Sequence, residues 1–147
     1  MNHDRAIENL LYRYAELIDN GDLEGVARLF EHGEILAPEA SSGVKGYAEV
    51  LAMYHKFTRI YPETGTPRTR HLTHNAIIEV NEAGDRAEAR SCFTVFQATD
   101  ALPLQPIISG RYHDVFDRVN GAWHFRTRTM LSDLHGDLSQ HLLSDAP

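Results

Sequence analysis

The sequence predicts an α+β fold, with helices first and a meander of long antiparallel strands after them. Three observations predict it. Up to about residue 62 the apolar residues recur with a period near 3.6. From about residue 70 they alternate with a period of 2. Asn120-Gly121 then separates two alternating runs, and both residues tolerate the positive φ of a type I′ hairpin turn.

Each element has its own signal. Ile7, Leu10, Leu11, Tyr14, Leu17 and Ile18 mark one face of a first helix, with Asp4 as the expected N-cap. Asn20-Gly21 ends it, and Asp22 is placed to cap a short second helix carrying Leu23, Val26, Leu29 and Phe30. Residues 31–45 read as a loop around Gly33, Pro38 and Gly43, with one short strand at 35–37. A third helix follows Gly46, buries Tyr47, Val50, Leu51, Tyr54 and Phe57, and ends before Pro62. Strands are expected near 70–80, 86–99, 107–119 and 122–132, with Pro103 and Pro106 bracketing a loop. Leu138 to Leu143 offers one more helical turn. Leu131, Leu134, Leu138, Leu142 and Leu143 predict that the last segment folds over the mouth of a pocket, since chain ends are otherwise polar and frayed.

A chain of 147 residues is expected to form a single domain, 1–147. Its 42% hydrophobic and 24% charged content excludes disorder, coiled coil and collagen. Fourteen basic against 21 acidic residues give a net charge of −7, and Lys and Arg do not cluster, so nucleic acid is not an expected partner. No run approaches the roughly 20 apolar residues of a membrane span. The start lacks the basic-then-apolar order of a secretory signal, so a cytoplasmic location is expected. Cys92 is the only cysteine, which excludes an internal disulfide and a thiolate metal cluster.

Several residues carry candidate chemistry. His71 and His74 are three apart on a strand, hence on opposite faces, and cannot share one metal ion. No His-Glu-x-x-His motif is present, so no metal site is expected. His71 shares a face with Thr73 and Asn75, a polar strip able to line a pocket, whereas His74 groups with Leu72, Ala76 and Ile78 as packed structure. Asp19 lies off the centre of the helical apolar stripe and precedes a turn, a common place for Asp. Tyr14 lies on the stripe. Tyr54, Phe57, Phe93 and Phe96 read as pocket or core lining, and Cys92 as a small buried apolar residue. Arg126 and Arg128 share a strand face with His124 and Met130, opposite Trp123 and Phe125. Ser91 and Ser109 lack the Gly-x-Ser-x-Gly elbow of hydrolases.

The segments Arg13-Tyr14-Ala15-Glu16-Leu17-Ile18-Asp19-Asn20-Gly21-Asp22, Arg70-His71-Leu72-Thr73-His74-Asn75, Gly110-Arg111-Tyr112 and Asn120-Gly121-Ala122-Trp123-His124-Phe125, with Gly46 opening the third helix, carry a resemblance. In their order and spacing the chain resembles the SnoaL-like family of the nuclear-transport-factor-2-like superfamily, over essentially its whole length. The match is narrower with the dehydratase and dehydrochlorinase-type, scytalone dehydratase-like subgroup. The resemblance implies a cone-shaped α+β barrel, three N-terminal helices packed in a strongly curved antiparallel sheet that encloses an apolar pocket. It implies His71 as general base and acid, Asp19 as the carboxylate orienting it, and Tyr14 and Arg128 as substrate-binding residues beside Tyr54 and Phe93. The implied function is a cofactor-independent lyase (a dehydratase or related elimination) or isomerase acting on a small hydrophobic cyclic molecule. Such chemistry suits a His–Asp pair, because a histidine with pKa near 6.5 accepts a proton at neutral pH and the carboxylate stabilises the resulting imidazolium. The alternatives are a non-catalytic subunit resembling the ring-hydroxylating dioxygenase β subunit, and an inert small-molecule binding protein. A dimer or trimer of identical chains is expected on this fold.

Overall fold

The computed structural model describes residues 1–40 and 42–143. Helix α1 spans His3–Asp19, α2 Leu23–Leu29 and α3 Gly46–Phe57. Strands β1 Glu34–Leu36, β2 Val44–Lys45, β3 Thr69–Val80, β4 Arg86–Thr99, β5 Leu102–Val119 and β6 Ala122–His135 form one sheet in the order β2-β1-β6-β5-β4-β3. The sheet is strongly curved but not closed, so β3 is left as a free edge.

The local signals explain most of these boundaries. Asp22 caps α2 by accepting the Gly25 N–H at 2.8 Å. The cap of α1 is Asn2 rather than Asp4: Asn2 accepts the Arg5 N–H at 3.1 Å, and Asp4 lies inside the first turn, where negative charge favours the helix dipole. Gly21 follows α1 at φ +74°, and a Cβ there would lie 2.1 Å from the Gly65 carbonyl oxygen. A glycine is therefore required where α1 meets the loop that leads into β3.

Three expectations about the sheet change. It is not wholly antiparallel, because β1 joins β6 in parallel, with Ile35 opposite Arg128. Pro103 and Pro106 lie in β5 rather than in a loop. They are tolerated because β5 pairs with β6 only from Ile108 onward, so the stretch before it is hydrogen-bonded on one side alone. Two β-bulges also reset which residues face inward. In β6, Thr127 pairs with Val115 and Phe125 with Phe116, leaving Arg126 as the extra residue. Trp123, Phe125, Arg128 and Met130 consequently all face the helices, while Arg126 turns out to Asp117 at 2.9 Å. In β3, Asn75 adopts φ +57° and the register shifts between His74 and Ile77. His71 and Thr73 before the bulge thus share the inner face with Ala76 and Ile78 after it, and Asn75 does not.

The core lies between α1, α2, α3 and the concave face. Ile7, Leu11, Val26, Phe30, Val50, Phe116 and Phe125 are fully buried. Each such side chain contributes roughly 1.5–3 kcal/mol relative to exposure. On the convex face, Leu72, Thr94, Ser109 and Leu134 form one cross-strand row, and His74 Nε2 meets the Thr94 hydroxyl at 3.2 Å. His74 and Cys92 are both only half-buried there. No helix among the described residues is long and apolar enough to cross a membrane.

Candidate active site

Asp19 is the last residue of α1 and follows Leu11 and Ala15 at intervals of four, on the flank of the buried stripe. That flank packs on β3, which explains why a residue off the stripe's centre has a side chain only 13% exposed. Three groups on β3 hold its carboxylate. The Thr69 hydroxyl donates to Oδ1 at 2.8 Å, the His71 backbone N–H donates to Oδ2 at 2.8 Å, and His71 Nδ1 lies 2.6 Å from Oδ1. A backbone N–H is available because β3 is the edge strand, with no neighbour on that side to use it. The carboxylate accepts from Nδ1, so the proton resides there and Nε2 is left as the basic nitrogen. Among the described residues Nε2 has no hydrogen-bond partner.

His71 opens onto a cavity of about 300 Å³ enclosed by the concave sheet, α1, α3 and the segment after β6. Its walls are largely apolar and include Ile18, Met53, Phe57, Phe93, Val95, Ile108, Met130, Leu138 and Leu142. Cavities of this size and character suit small organic ligands. Phe93 lies across from its strand partner Gly110 and stacks on Tyr112, with ring centres 4.5 Å apart. A Cβ at Gly110 would come within 2.9 Å of the Phe93 ring, so the flat wall depends on that glycine.

The polar side chains of its lining are Tyr14, Glu39, Tyr54, Thr58, His71, Tyr112, Ser132, His135 and His141. The Tyr14 and Tyr54 hydroxyls bond each other at 2.5 Å. Burial holds both phenols, and that of Tyr112, above the usual tyrosine range, with the Arg128 charge pulling Tyr14 back partway. All three stay protonated at neutral pH. Arg128 lies behind this wall. It is wholly buried, makes a bidentate pair with Asp114 (2.8 and 3.0 Å), and carries its guanidinium 3.6 Å from the Tyr112 ring centre and 4.5 Å from that of Tyr14. Burial alone would lower its pKa, but the Asp114 carboxylate outweighs that and holds it above the ordinary value.

The structure thus brings Asp19, His71, Tyr14, Tyr54 and Phe93 together, and sets Arg128 one layer back with Arg126 on the outside. Of the other aromatics, Phe57 lines the cavity, whereas Phe96 is on the outer face near Leu104. The final segment covers the cavity through Leu138 and Leu142, but Leu131 and Leu134 belong to β6 and face outward, Leu134 being 69% exposed. Sequence reasoning missed Thr69, Tyr112, Asp114 and His141. His141 sits amid Leu138, Leu142 and Leu143, and a histidine set among these leucines is the signal that marks it. It lines the cavity at 8% exposure with its ring centre 6.3 Å from that of His71. Burial first, then the neighbouring His71, pushes its pKa down to about 4, against a smaller upward pull from Asp19. Among the described residues no three of His, Cys, Asp and Glu gather as a metal site.

Comparison with known proteins follows the same lines. A structure of a protein of unknown function with a cystatin-like fold from Nostoc punctiforme superposes with a TM-score of 0.73 at 26% identity, covering 92% of this chain and 94% of that one. A function-unknown protein from Mycobacterium tuberculosis gives 0.71 at 28% identity, over 88% of this chain and 71% of the other. A candidate scytalone dehydratase from Novosphingobium aromaticivorans gives 0.67 at 27% identity, over 89% and 84%. A comparison with curated proteins returns no match. The family model described as a SnoaL-like domain matches residues 1–129, and the chain belongs to that family.

Proposed function

We propose that this protein is a cofactor-independent lyase or isomerase that removes a proton from a small hydrophobic cyclic molecule. The observation that carries the reading is the Asp19–His71 pair, with Nδ1 held at 2.6 Å and Nε2 left to the cavity. His71 Nε2 takes a proton from a carbon made acidic by an adjacent carbonyl, and Asp19 stabilises the imidazolium that results. The Tyr14–Tyr54 hydroxyl pair donates to the oxygen on which negative charge develops. Arg128, one layer behind Tyr14, strengthens that donor without touching the substrate. Phe93 and Tyr112 form a flat wall for a ring. In an elimination the imidazolium returns its proton to the departing group, and in an isomerisation to another carbon. The likeness to a candidate scytalone dehydratase supports the elimination branch.

Proton abstraction is tested directly by exchange in D2O. Incubating 2-tetralone or 1-indanone with the protein should incorporate deuterium at the carbon beside the carbonyl faster than the uncatalysed reaction, and His71→Ala should reduce this by about 10²-fold or more. Exchange no faster with the wild type than with His71→Ala, while the ketones still bind, would leave an inert binding protein.

A further inference from the structure

We propose that His141 is a second substrate-contacting residue, which holds a hydroxyl of a neutral aromatic or cyclic ligand whose adjoining atoms meet His71. The inference deepens the function proposed above and rests on the same cavity being a ligand site. Three observations carry it. First, the backbone around His141 is pinned without any help from its ring. The His141 carbonyl accepts the Arg59 N–H at 2.9 Å, the Leu143 N–H donates to the Phe57 carbonyl at 2.9 Å, and the Gln140 carbonyl accepts from Tyr61 and Gln97 at 2.6 and 3.1 Å. These bonds tie the segment to the end of α3 and to β4.

Secondly, the ring itself has no protein partner among the described residues, and Nδ1 is buried with none. The other ring nitrogen, Nε2, likewise has no protein partner among the described residues and belongs to a residue of the cavity wall, so it is the atom at which a partner supplied from outside the chain can be met. Thirdly, the two rings lie edge to face with their centres 6.3 Å apart, which lets neighbouring atoms of one ligand reach both. The chemistry of the partner follows from the protonation state. A histidine whose burial keeps it neutral presents at Nε2 either an N–H or a bare nitrogen, and a hydroxyl, which can accept or donate, is able to meet either. It offers no cation for a carboxylate or phosphate. Phe93 stacked on Tyr112 supplies the flat apolar surface for the rest of the ligand.

The test compares 2-naphthol with naphthalene, two probes that differ by one hydroxyl, in a titration followed by calorimetry. Wild-type protein should bind 2-naphthol about three- to tenfold more tightly, the worth of one neutral hydrogen bond. His141→Phe should abolish that preference and leave naphthalene binding in place. His141→Gln, which keeps a donor and an acceptor, should restore part of it and serves if the Phe variant does not fold. A preference retained in both variants would overturn the role of His141 and leave that of His71 standing. Failure of both probes to bind the wild type would overturn the ligand-site reading and this inference together. Because binding is measured, absent deuterium exchange at His71 leaves the result of this experiment unaffected.

Discussion

At the scale of single residues, the Asp19–His71 contact makes the two side chains one hydrogen-bonded unit. The carboxylate's three bonds are made to Thr69 and His71 alone, so either loss disorders the same ring. Asp19→Asn and His71→Ala should each reduce deuterium exchange by at least about 10²-fold, and the double variant should do little worse than the poorer single one. The Arg128–Asp114 pair obeys a different rule, because both side chains are at 0% exposure. Asp114→Ala strands a buried guanidinium and should cost about 3–5 kcal/mol in urea unfolding, whereas Arg128→Met with Asp114→Leu should recover much of it. His141 gives stability a pH dependence of known sign. Its folded pKa of about 4 lies below the ordinary 6.5, so on acidification the unfolded chain takes up the proton first. Its contribution is complete above pH 6.5 and is lost as pH falls toward 4. Wild type should therefore lose about 3 kcal/mol more than His141→Phe across that window, read by unfolding at each pH.

At the scale of elements, the bulges and the final segment decide what reaches the cavity. Asn75 is held at φ +57°, a conformation in which a β-branched side chain is strained. Asn75→Val should cost about 1–2 kcal/mol, and Asn75→Gly should cost little, as thermal melts will show. The segment after β6 contributes Leu138, His141 and Leu142 to the cavity wall. Deleting residues 137–147 should open the cavity to water and lower stability by about 2–3 kcal/mol, the value of two partly buried leucines. An unchanged melting temperature and unchanged 2-naphthol affinity would speak against that covering role. The strand period is legible in sequence here, but the face is not. A one-residue bulge reverses every side chain beyond it, and neither Arg126 nor Asn75 carries a local signal strong enough to announce one.

At the scale of the whole molecule, the curved sheet has two unlike faces. The concave face is filled by helices and the cavity. The convex face carries Leu72 at 43%, Ile77 at 52% and Leu134 at 69% exposure, a set of apolar side chains left in water. An assembly of identical chains would cover such a face, and on that expectation sedimentation at micromolar protein should give a species larger than 16.6 kDa. Leu134→Arg should shift it toward the single chain without changing deuterium exchange.

By itself the sequence determined the order of helices and strands, because a hydrophobic period of 3.6 or 2 is a local property written into neighbouring residues. It also marked Asn120-Gly121 as a hairpin and, through family resemblance, marked Asp19 and His71 as partners. The tertiary structure decided the rest. Asp19 is half-sheltered because β3 packs on the flank of α1, a contact between residues about fifty positions apart. Arg128 is a buried support rather than a cavity residue because one extra residue in β6 turns it inward against Asp114. His141 reaches the cavity because the chain end returns to α3 and β4. None of these follows from local pattern, since each depends on how distant elements close around a shared interior.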